Sequence, residues 1–521
     1  MSSVLDIRPR VRPMSLREAL SRVPGAALAD GDEAQWETPV SGVSVSSVDI
    51  DQGWIFVAVP GLVKHGARFA AAAVRAGAVA VVTDAEGASQ VREAGVCVPV
   101  VLVDNPRSAA ALVAVAVHRD PATRLLTIGI TGTNGKTTTS YLTRAALSVA
   151  HPDPAICGTV ESRVGAVRFD SDQTTAEAPV IQRLLDLAGQ SGQGAAVVET
   201  SSHALSLNRV DGIVYDVAVF TNLQHDHLDY YGDMESYFRA KAMLFTPEHC
   251  SRGVVCVDDE WGRRLAREAT VPVVTVAAFT DTPAHWQVRD ITADRQTFST
   301  VFTLVDPQGR THRVRMPILG RVNVQNTAVA LAAAVSAGIS VEDAITGIEA
   351  AEQIPGRMEK VNPEPGNLPL VIVDMAHTPE GFRWTIEACK ELVQRKFVMV
   401  FGTDGDRDAS KREELGEMAA READILWVTD ENPRTEDPQA VRDYLLRGIA
   451  RVRPDMHDVT EITTCRRDAV RKAILAAQAG DVILIPGKGA EWYQDIDGIK
   501  HPYNDVPVAR EVLTQDPRAR M

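Results

Sequence analysis

The run Gly132-Thr133-Asn134-Gly135-Lys136-Thr137 lies between an apolar stretch, Thr127 to Ile130, and a stretch from Thr138 to Val149 that reads as a helix. Glycines at such a strand-to-helix turn let backbone N–H groups and the positive end of a helix dipole face an anion. Lys136 brings a full charge for terminal phosphates, and the Thr137 hydroxyl is a donor that Mg²⁺ accepts. The spacing is a short form, Gly-x-x-Gly-Lys-Thr, because Ile130 stands where the longer phosphate loop has a glycine. The same residues make good turns in any protein, but the strand before and the helix after are the context a phosphate cradle requires. The chemistry implied is that of an ATP-using enzyme.

Glu199, just past a strand in Val198-Glu199-Thr200-Ser201-Ser202-His203, and His227, in His225-Asp226-His227, follow successive apolar runs. Loops at neighbouring strand ends converge on one crevice, so both could hold the Mg²⁺ that bridges phosphates. Histidine is an unusual partner for so hard a cation. His225-Asp226-His227 also has the spacing of a transition-metal site in a hydrolase, or can be a loop of hydrogen-bonding polar residues. Lys241 falls in a helical stretch, Tyr237 to Phe245, where periodicity alone makes it a solvated or snorkelling side chain. Further along, Arg357, Arg407, Arg434 and Lys488 sit in Gly- or Pro-containing loops, where an arginine fork suits a carboxylate or phosphate.

The elements that must position these groups are α/β throughout. Up to residue 120 the chain alternates strand-like Trp54 to Val59, an Ala-rich helix near Phe69 to Ala76, and strands Ala78 to Val82 and Val98 to Val103, which predicts a small α/β domain. Residues 121–353 carry the apolar runs Leu125 to Ile130, Ala195 to Val198, Val217 to Phe220 and Val254 to Val257, as expected of a mostly parallel sheet covered by helices. A hairpin, Thr297 to Val305 and Arg310 to Met316 about Asp306-Pro307-Gln308-Gly309, and a helix from Asn323 to Val335 complete that section. In residues 354–521 the strands are Leu370 to Val373, Phe397 to Phe401, Ile425 to Val428 and Val482 to Ile485, each ending in a polar or Gly-containing loop.

Bulk properties narrow the partners. A chain of 521 residues is too long for one core, and its formal net charge of −15 argues against nucleic acid or an acidic membrane. The six cysteines show no Cys-x-x-Cys pair, and no apolar run approaches a bilayer span or a signal peptide, so a reduced, cytoplasmic, monomeric protein is expected.

Taken together, Gly132 to Thr137, Glu199 to His203, Asn222 to Glu235, Lys241 to Phe245, Asn323 to Asn326, Pro355 to Glu359, Asp374 to Pro379, Gly405 to Asp408 and Glu431 to Arg434 resemble the Mur ligases, in the right order and spacing. The resemblance is strongest to the member that adds the third residue of the peptidoglycan stem peptide. It implies three domains: a UDP-sugar-binding domain over 1–120, a central P-loop-type ATPase over 121–353, and a Rossmann-like amino-acid-binding domain over 354–521. The implied reaction phosphorylates the free carboxylate of UDP-MurNAc-L-Ala-D-Glu with ATP, and the amine of a diamino acid then captures the acyl phosphate.

By that resemblance Gly132, Thr133, Asn134, Gly135, Lys136, Thr137 and Thr138 serve ATP, with Asn323 and Asn326 near adenine and Arg357 and His377 at the same site. Thr137, Glu199 and His227 serve the metal, and Lys241 is the lysine whose carbamate ligates a second Mg²⁺. Ser47 belongs to the uridine region, and Thr174, Thr175, Ser202 and Arg209 match contacts to the muramoyl dipeptide. Arg407, Glu431, Asn432, Arg434, Gly487 and Glu491 match the amino-acid pocket, where Arg434 suits the distal carboxylate of meso-diaminopimelate and lysine is the alternative.

Several positions depart from the family pattern. Ser46-Ser47-Val48 replaces Asp-Ser-Arg, Ala176 a proline, Leu207 a glutamine, Asp404 a glycine, Ala490 a histidine and Cys256 an asparagine. Most lie around the sugar nucleotide or the amino acid, leaving open a paralogue that acts on another carboxylate, such as a folylpolyglutamate synthase.

Overall fold

The computed structural model describes residues 2–520 apart from 30, 62, 63, 172 and 296. The described chain forms two compact units: Met1–Gln287 with Val305–Arg310 and Asn326–Gly347, and Val288–Leu304 with Thr311–Gln325 and Ile348–Met521.

The first unit contains two main sheets, beside a two-stranded pairing of Met14–Ser15 with Pro39–Val40. The smaller has five strands in the order Ala27–Leu28, Val100–Leu102, Ala78–Thr83, Trp54–Val57, Gly42–Ser44, parallel except at the first pair. One face packs on the Ala-rich helix Pro106–Val117, whose Asn105 side chain caps its first turn. The larger sheet runs Ser2–Ser3, Val167–Asp170, Ser162–Val164, Ala155–Cys157, Ala195–Glu199, Leu126–Thr131, Val217–Phe220, Gly253–Cys256, Val273–Ala277 and on to Trp286 and Gln287. From Ala155–Cys157 onward these pairings are parallel, and the central strands are buried along their length but for the half-buried Leu126, as apolar runs covered on both faces require. The two sheets share this unit through a buried ion pair, Arg183 to Asp49 at 2.7 Å with both side chains 1% exposed. Removing either partner would strand a charge in the interior.

The helix after the glycine turn spans Lys136–Leu147, two residues earlier at each end than its sequence pattern suggests. Gly135 has φ +83° and serves as its N-cap, so the helix starts at the lysine itself and its first N–H groups face the turn. Glu199 is likewise the last strand residue rather than the first of the loop.

The second unit is built on a sheet ordered Glu359–Lys360, Leu370–Val373, Val482–Ile485, Phe397–Phe401, Ile425–Val428, Val459–Glu461, parallel but for its first pair. The four expected strands occur with the expected bounds. The expected hairpin forms as Ser299–Val305 and Thr311–Met316, and the helix beyond it is Arg321–Ser336. Among the described residues all six cysteines are free, and no helix is long and apolar enough to cross a membrane.

Candidate active site

In the first unit the glycine turn is held from below by the loop after Val217–Phe220. Thr133 N–H donates to the Asn222 carbonyl (2.9 Å), Asn134 N–H to Asn222 Oδ1 (2.9 Å), and Thr221 Oγ1 to the Asn134 carbonyl (2.7 Å). A side chain at Gly132 would meet Thr221 Oγ1 at 1.9 Å, so glycine is required there. Lys136 Nζ folds back onto the carbonyls of Gly132 (3.0 Å) and Thr133 (2.8 Å), which holds its charge over the loop. Thr139 Oγ1 donates to Asn326 Oδ1 at 3.3 Å, bringing the helix that carries Asn326 against the turn.

Glu199 is fully buried, yet three groups meet its carboxylate. Thr137 Oγ1 donates to Oε2 (3.0 Å), Thr159 Oγ1 to Oε2 (2.9 Å) and Thr159 N–H to Oε1 (3.1 Å). Thr159 escapes sequence reasoning because only the pairing of Ala155–Cys157 with Ala195–Glu199 brings it there. Hydroxyl and carboxylate oxygens side by side beneath a phosphate cradle are the donor set a Mg²⁺ ion accepts, so Thr137 and Glu199 fit it.

Lys241 differs from what its periodicity suggests. It is 1% exposed, its Nζ donates to the Gly132 carbonyl at 2.8 Å, and the ammonium lies 4.6 Å from the Tyr237 ring centre. Burial, with the charge of Lys136 second, holds it well below the usual lysine range. Tyr237 OH in turn meets Thr133 Oγ1 at 3.3 Å. His227 is an exposed residue at φ +54°, its ring 4.9 Å from His203 and 5.9 Å from Tyr237, and burial of its ring region lowers its pKa. Among the described residues no group of three His, Cys, Asp or Glu side chains could hold a metal, so His225-Asp226-His227 gains no third partner of that kind.

The residues expected at the dipeptide lie beside Glu199. Thr175 Oγ1 donates to the Glu199 carbonyl (2.7 Å) and accepts from Ser201 N–H (2.9 Å), Thr174 Oγ1 lies 3.2 Å from Thr159 Oγ1, and Arg209 reaches the Thr175 carbonyl (3.0 Å) and Glu177 (2.8 Å). Ser202 is buried in the following turn of helix. Ser47 is half-buried in a loop whose Val48 is 86% exposed, while Asp49 beneath it binds Ser44, Arg183 and Arg8.

In the second unit a cluster of charged and polar side chains forms just past the ends of Phe397–Phe401, Ile425–Val428 and Val482–Ile485. Asn432 Nδ2 donates to Asp404 Oδ1 (2.9 Å) and Glu491 Oε2 (3.1 Å), and the buried Lys488 Nζ donates to Asn432 Oδ1 and Glu491 Oε2, both at 2.8 Å. Arg434 lies 3.5 Å from Asp404 and 3.6 Å from Asp495. Its backbone is left-handed, φ +53°, pinned by Arg434 N–H to the Asp495 carbonyl (3.0 Å) and Asp497 N–H to the Arg434 carbonyl (2.6 Å). A side chain at Gly487 would meet Glu431 Oε2 at 2.4 Å. Arg407 is exposed on its loop, His377 Nδ1 meets the Met375 carbonyl (2.8 Å), Arg357 is half-buried, and Asn323 Nδ2 donates to the Leu319 carbonyl (2.7 Å).

Glu431 is buried, and that burial, followed by the charge of Asp404, raises it to about 8, against the pull of Arg466 and Lys488 and with a further push from Glu491. A carboxyl raised on folding stabilises the protein fully below its ordinary pKa and loses that contribution as pH climbs through the folded value. Glu431→Gln should therefore flatten the fall in melting temperature between about pH 5 and about pH 9. Melts of both proteins across that range check this; parallel curves would show that Glu431 is ionised throughout.

Profiles of three Mur ligase segments match the chain: "Mur ligase family, catalytic domain" over 39–128, "Mur ligase middle domain" over 130–334 and "Mur ligase, glutamate ligase domain" over 356–489. A UDP-N-acetylmuramoyl-L-alanyl-D-glutamate–2,6-diaminopimelate ligase of Streptomyces coelicolor is 40% identical over 489 residues, 94% of each chain. A UDP-N-acetylmuramyl-tripeptide synthetase of Leifsonia xyli subsp. xyli is 41% identical over 522 residues, covering 99% of this chain and 98% of its own. A solved diaminopimelate ligase structure superposes with a TM-score of 0.67 at 30% identity, over 96% of this chain and 99% of that one. By these matches the protein is an ATP-dependent acid–amino-acid ligase. It belongs to the Mur ligase family.

Proposed function

We propose that this chain joins meso-diaminopimelate to the D-glutamyl carboxylate of UDP-MurNAc-L-Ala-D-Glu, with ATP converted to ADP and phosphate, in the cytoplasm. The observation that carries this is identity of 40% across 94% of both chains with a ligase of that specificity. Residues 1–120 take the UDP sugar, 121–353 the ATP, and 354–521 the amino acid.

A carboxylate oxygen attacks the terminal phosphorus, a P–O bond forms, and ADP leaves. The diaminopimelate amine attacks the resulting acyl phosphate, a C–N bond forms, and phosphate departs as the amine loses its proton. Little covalent chemistry falls to the protein, which positions reactants and stabilises charge. The loop N–H groups and Lys136 grip the transferring phosphate, while Thr175, Ser202 and Arg209 orient the dipeptide whose carboxylate it meets. Thr137, Glu199, His227 and a carbamate of Lys241 would hold Mg²⁺, which supplies neutralising charge for the phosphates. Arg434 takes the distal carboxylate of the amino acid, with Asn432, Lys488 and Glu491 forming the wall beside it.

A second reading, L-lysine as the acceptor, is favoured by one feature: Arg434 already has two carboxylate neighbours. Mass spectrometry of products formed from UDP-MurNAc-dipeptide, ATP and an equal mixture of the two diamino acids separates the readings, and the diaminopimelate adduct should dominate. Arg434→Ala should lower kcat/KM for diaminopimelate about 100-fold while changing lysine use far less. A lysine adduct from the natural protein, or equal losses in the variant, would overturn the assignment.

A further inference from the structure

Arg434 is poorly satisfied by its own protein. Its two ion pairs, 3.5 Å to Asp404 Oδ2 and 3.6 Å to Asp495 Oδ2, exceed the roughly 2.8 Å of a good guanidinium–carboxylate hydrogen bond. Its buried Nε has no hydrogen-bond partner. The Asp404 and Arg434 side chains are equally accessible, each 20% exposed, so a ligand entering the pocket meets an opposed anion and cation together. Neither is free to swing away. Asn432 clamps Asp404 through Oδ1, leaving Oδ2 to Arg434 at 3.5 Å, and the pinned left-handed backbone fixes the root of Arg434.

Resting on the ligase reading above, we propose that Asp404 is a specificity-determining residue: held in place, the loosely paired Asp404 and Arg434 exchange their mutual contact for the distal ammonium on Asp404 and the distal carboxylate on Arg434. An amino-acid head group carries these two charges on a single carbon, side by side as the protein carries their complements. Exchange of one internal pair for two pairs with the ligand leaves the net charge of the pocket unchanged. The other carboxylates are less suited to the ammonium. Glu491 Oε2 already accepts from Lys488 and Asn432, Glu431 is buried behind Gly487, and Asp495 lies at 14% exposure on the far side of the guanidinium. A glycine at position 404 would leave Arg434 to read the carboxylate with no anion from that position for the amine.

Three acceptors dissect the two charges: meso-diaminopimelate has both, L-2-aminopimelate lacks the distal amine, and L-lysine lacks the distal carboxylate. In the natural protein, kcat/KM for diaminopimelate should exceed that for 2-aminopimelate by about tenfold or more. Asp404→Asn should lower diaminopimelate and lysine use by about tenfold each and raise 2-aminopimelate use, because Arg434 loses a competing anion. Equal use of diaminopimelate and 2-aminopimelate by the natural protein would overturn the proposal without any variant. So would a variant that loses both pimelates by one factor, the mark of a structural role; melting curves and Asp404→Gly guard against misfolding. Failure of the ligase reading looks different, since no dipeptide adduct would then form with any acceptor.

Discussion

Lys136→Ala should lower ligase turnover by about 1,000-fold, the largest effect of any single change in the protein. Lys136 Nζ sits over the glycine turn, 3.0 Å and 2.8 Å from the carbonyls of Gly132 and Thr133, so its charge is already placed before a polyphosphate arrives. Charge that builds on a transferring phosphoryl group is stabilised most by a cation needing no reorganisation. Truncation removes that cation and leaves two loop carbonyls without one donor, at roughly 1 kcal/mol of stability, too little to unfold the chain. Loss of turnover should thus come with a nearly unchanged melting curve. Phosphate release measured with and without the acceptor amine checks it, and turnover within about tenfold of the natural protein would refute a phosphate-gripping role for the lysine.

The structure explains why some of this was legible in the sequence and some was not. Leu370–Val373, Phe397–Phe401, Ile425–Val428 and Val482–Ile485 occur with the expected bounds because each is a short apolar run closed by a polar or glycine-bearing loop, and all but Ile425–Val428, whose Ile425 and Trp427 are half-buried, are buried on both faces. The glycine turn is legible for a similar local reason: only glycine avoids Thr221 at position 132, and only φ +83° at position 135 lets the helix begin on the lysine. Long-range pairing is what hides the rest. Thr159 reaches Glu199 across two strands that neighbour only in the folded sheet, and Asp495 reaches Arg434 from the hairpin Tyr493–Ile496 and Ile499–Pro502. Lys241 is the sharpest case. Its helix, Met234–Ala242, looks amphipathic, yet the lysine lies inward among Tyr237, Gly132 and Lys136.

The departures from the family pattern also separate by location. Asp404 lies in the charged cluster with Asn432 and Arg434, and the loop Ser46 to Asp49 keeps its shape through Ser44, Arg183 and Arg8 while presenting Val48 to solvent. Thr137, Glu199 and Lys136 are all present, with Thr137 bonded to Glu199 and Lys136 to the Gly132 carbonyl. On the proposed function, the residues assigned to phosphoryl chemistry keep the types that the resemblance implies, and the departures fall mostly on those assigned to the sugar nucleotide and the acceptor.

Lys241→Met should lower turnover by about 100-fold or more, and short carboxylates such as acetate should restore part of it. A lysine 1% exposed, sharing the Gly132 carbonyl with Lys136, is costly to keep charged, and an uncharged amine is the form that adds to CO₂. In that addition an N–C bond forms, the nitrogen gives up a proton, and a cation is exchanged for an anionic oxygen donor. Such a donor next to the Gly132 carbonyl suits a hard metal ion better than the ammonium it replaces. Methionine keeps the apolar stem packed against Tyr237, so loss of activity in this variant reports the missing oxygen rather than a cavity. Labelled bicarbonate gives an independent readout: the natural protein should show one carbamate carbon signal that Lys241→Met lacks. Full activity in the variant, or a loss that no carboxylate relieves together with no carbamate signal, would reduce Lys241 to a packing residue that braces the Gly132 carbonyl.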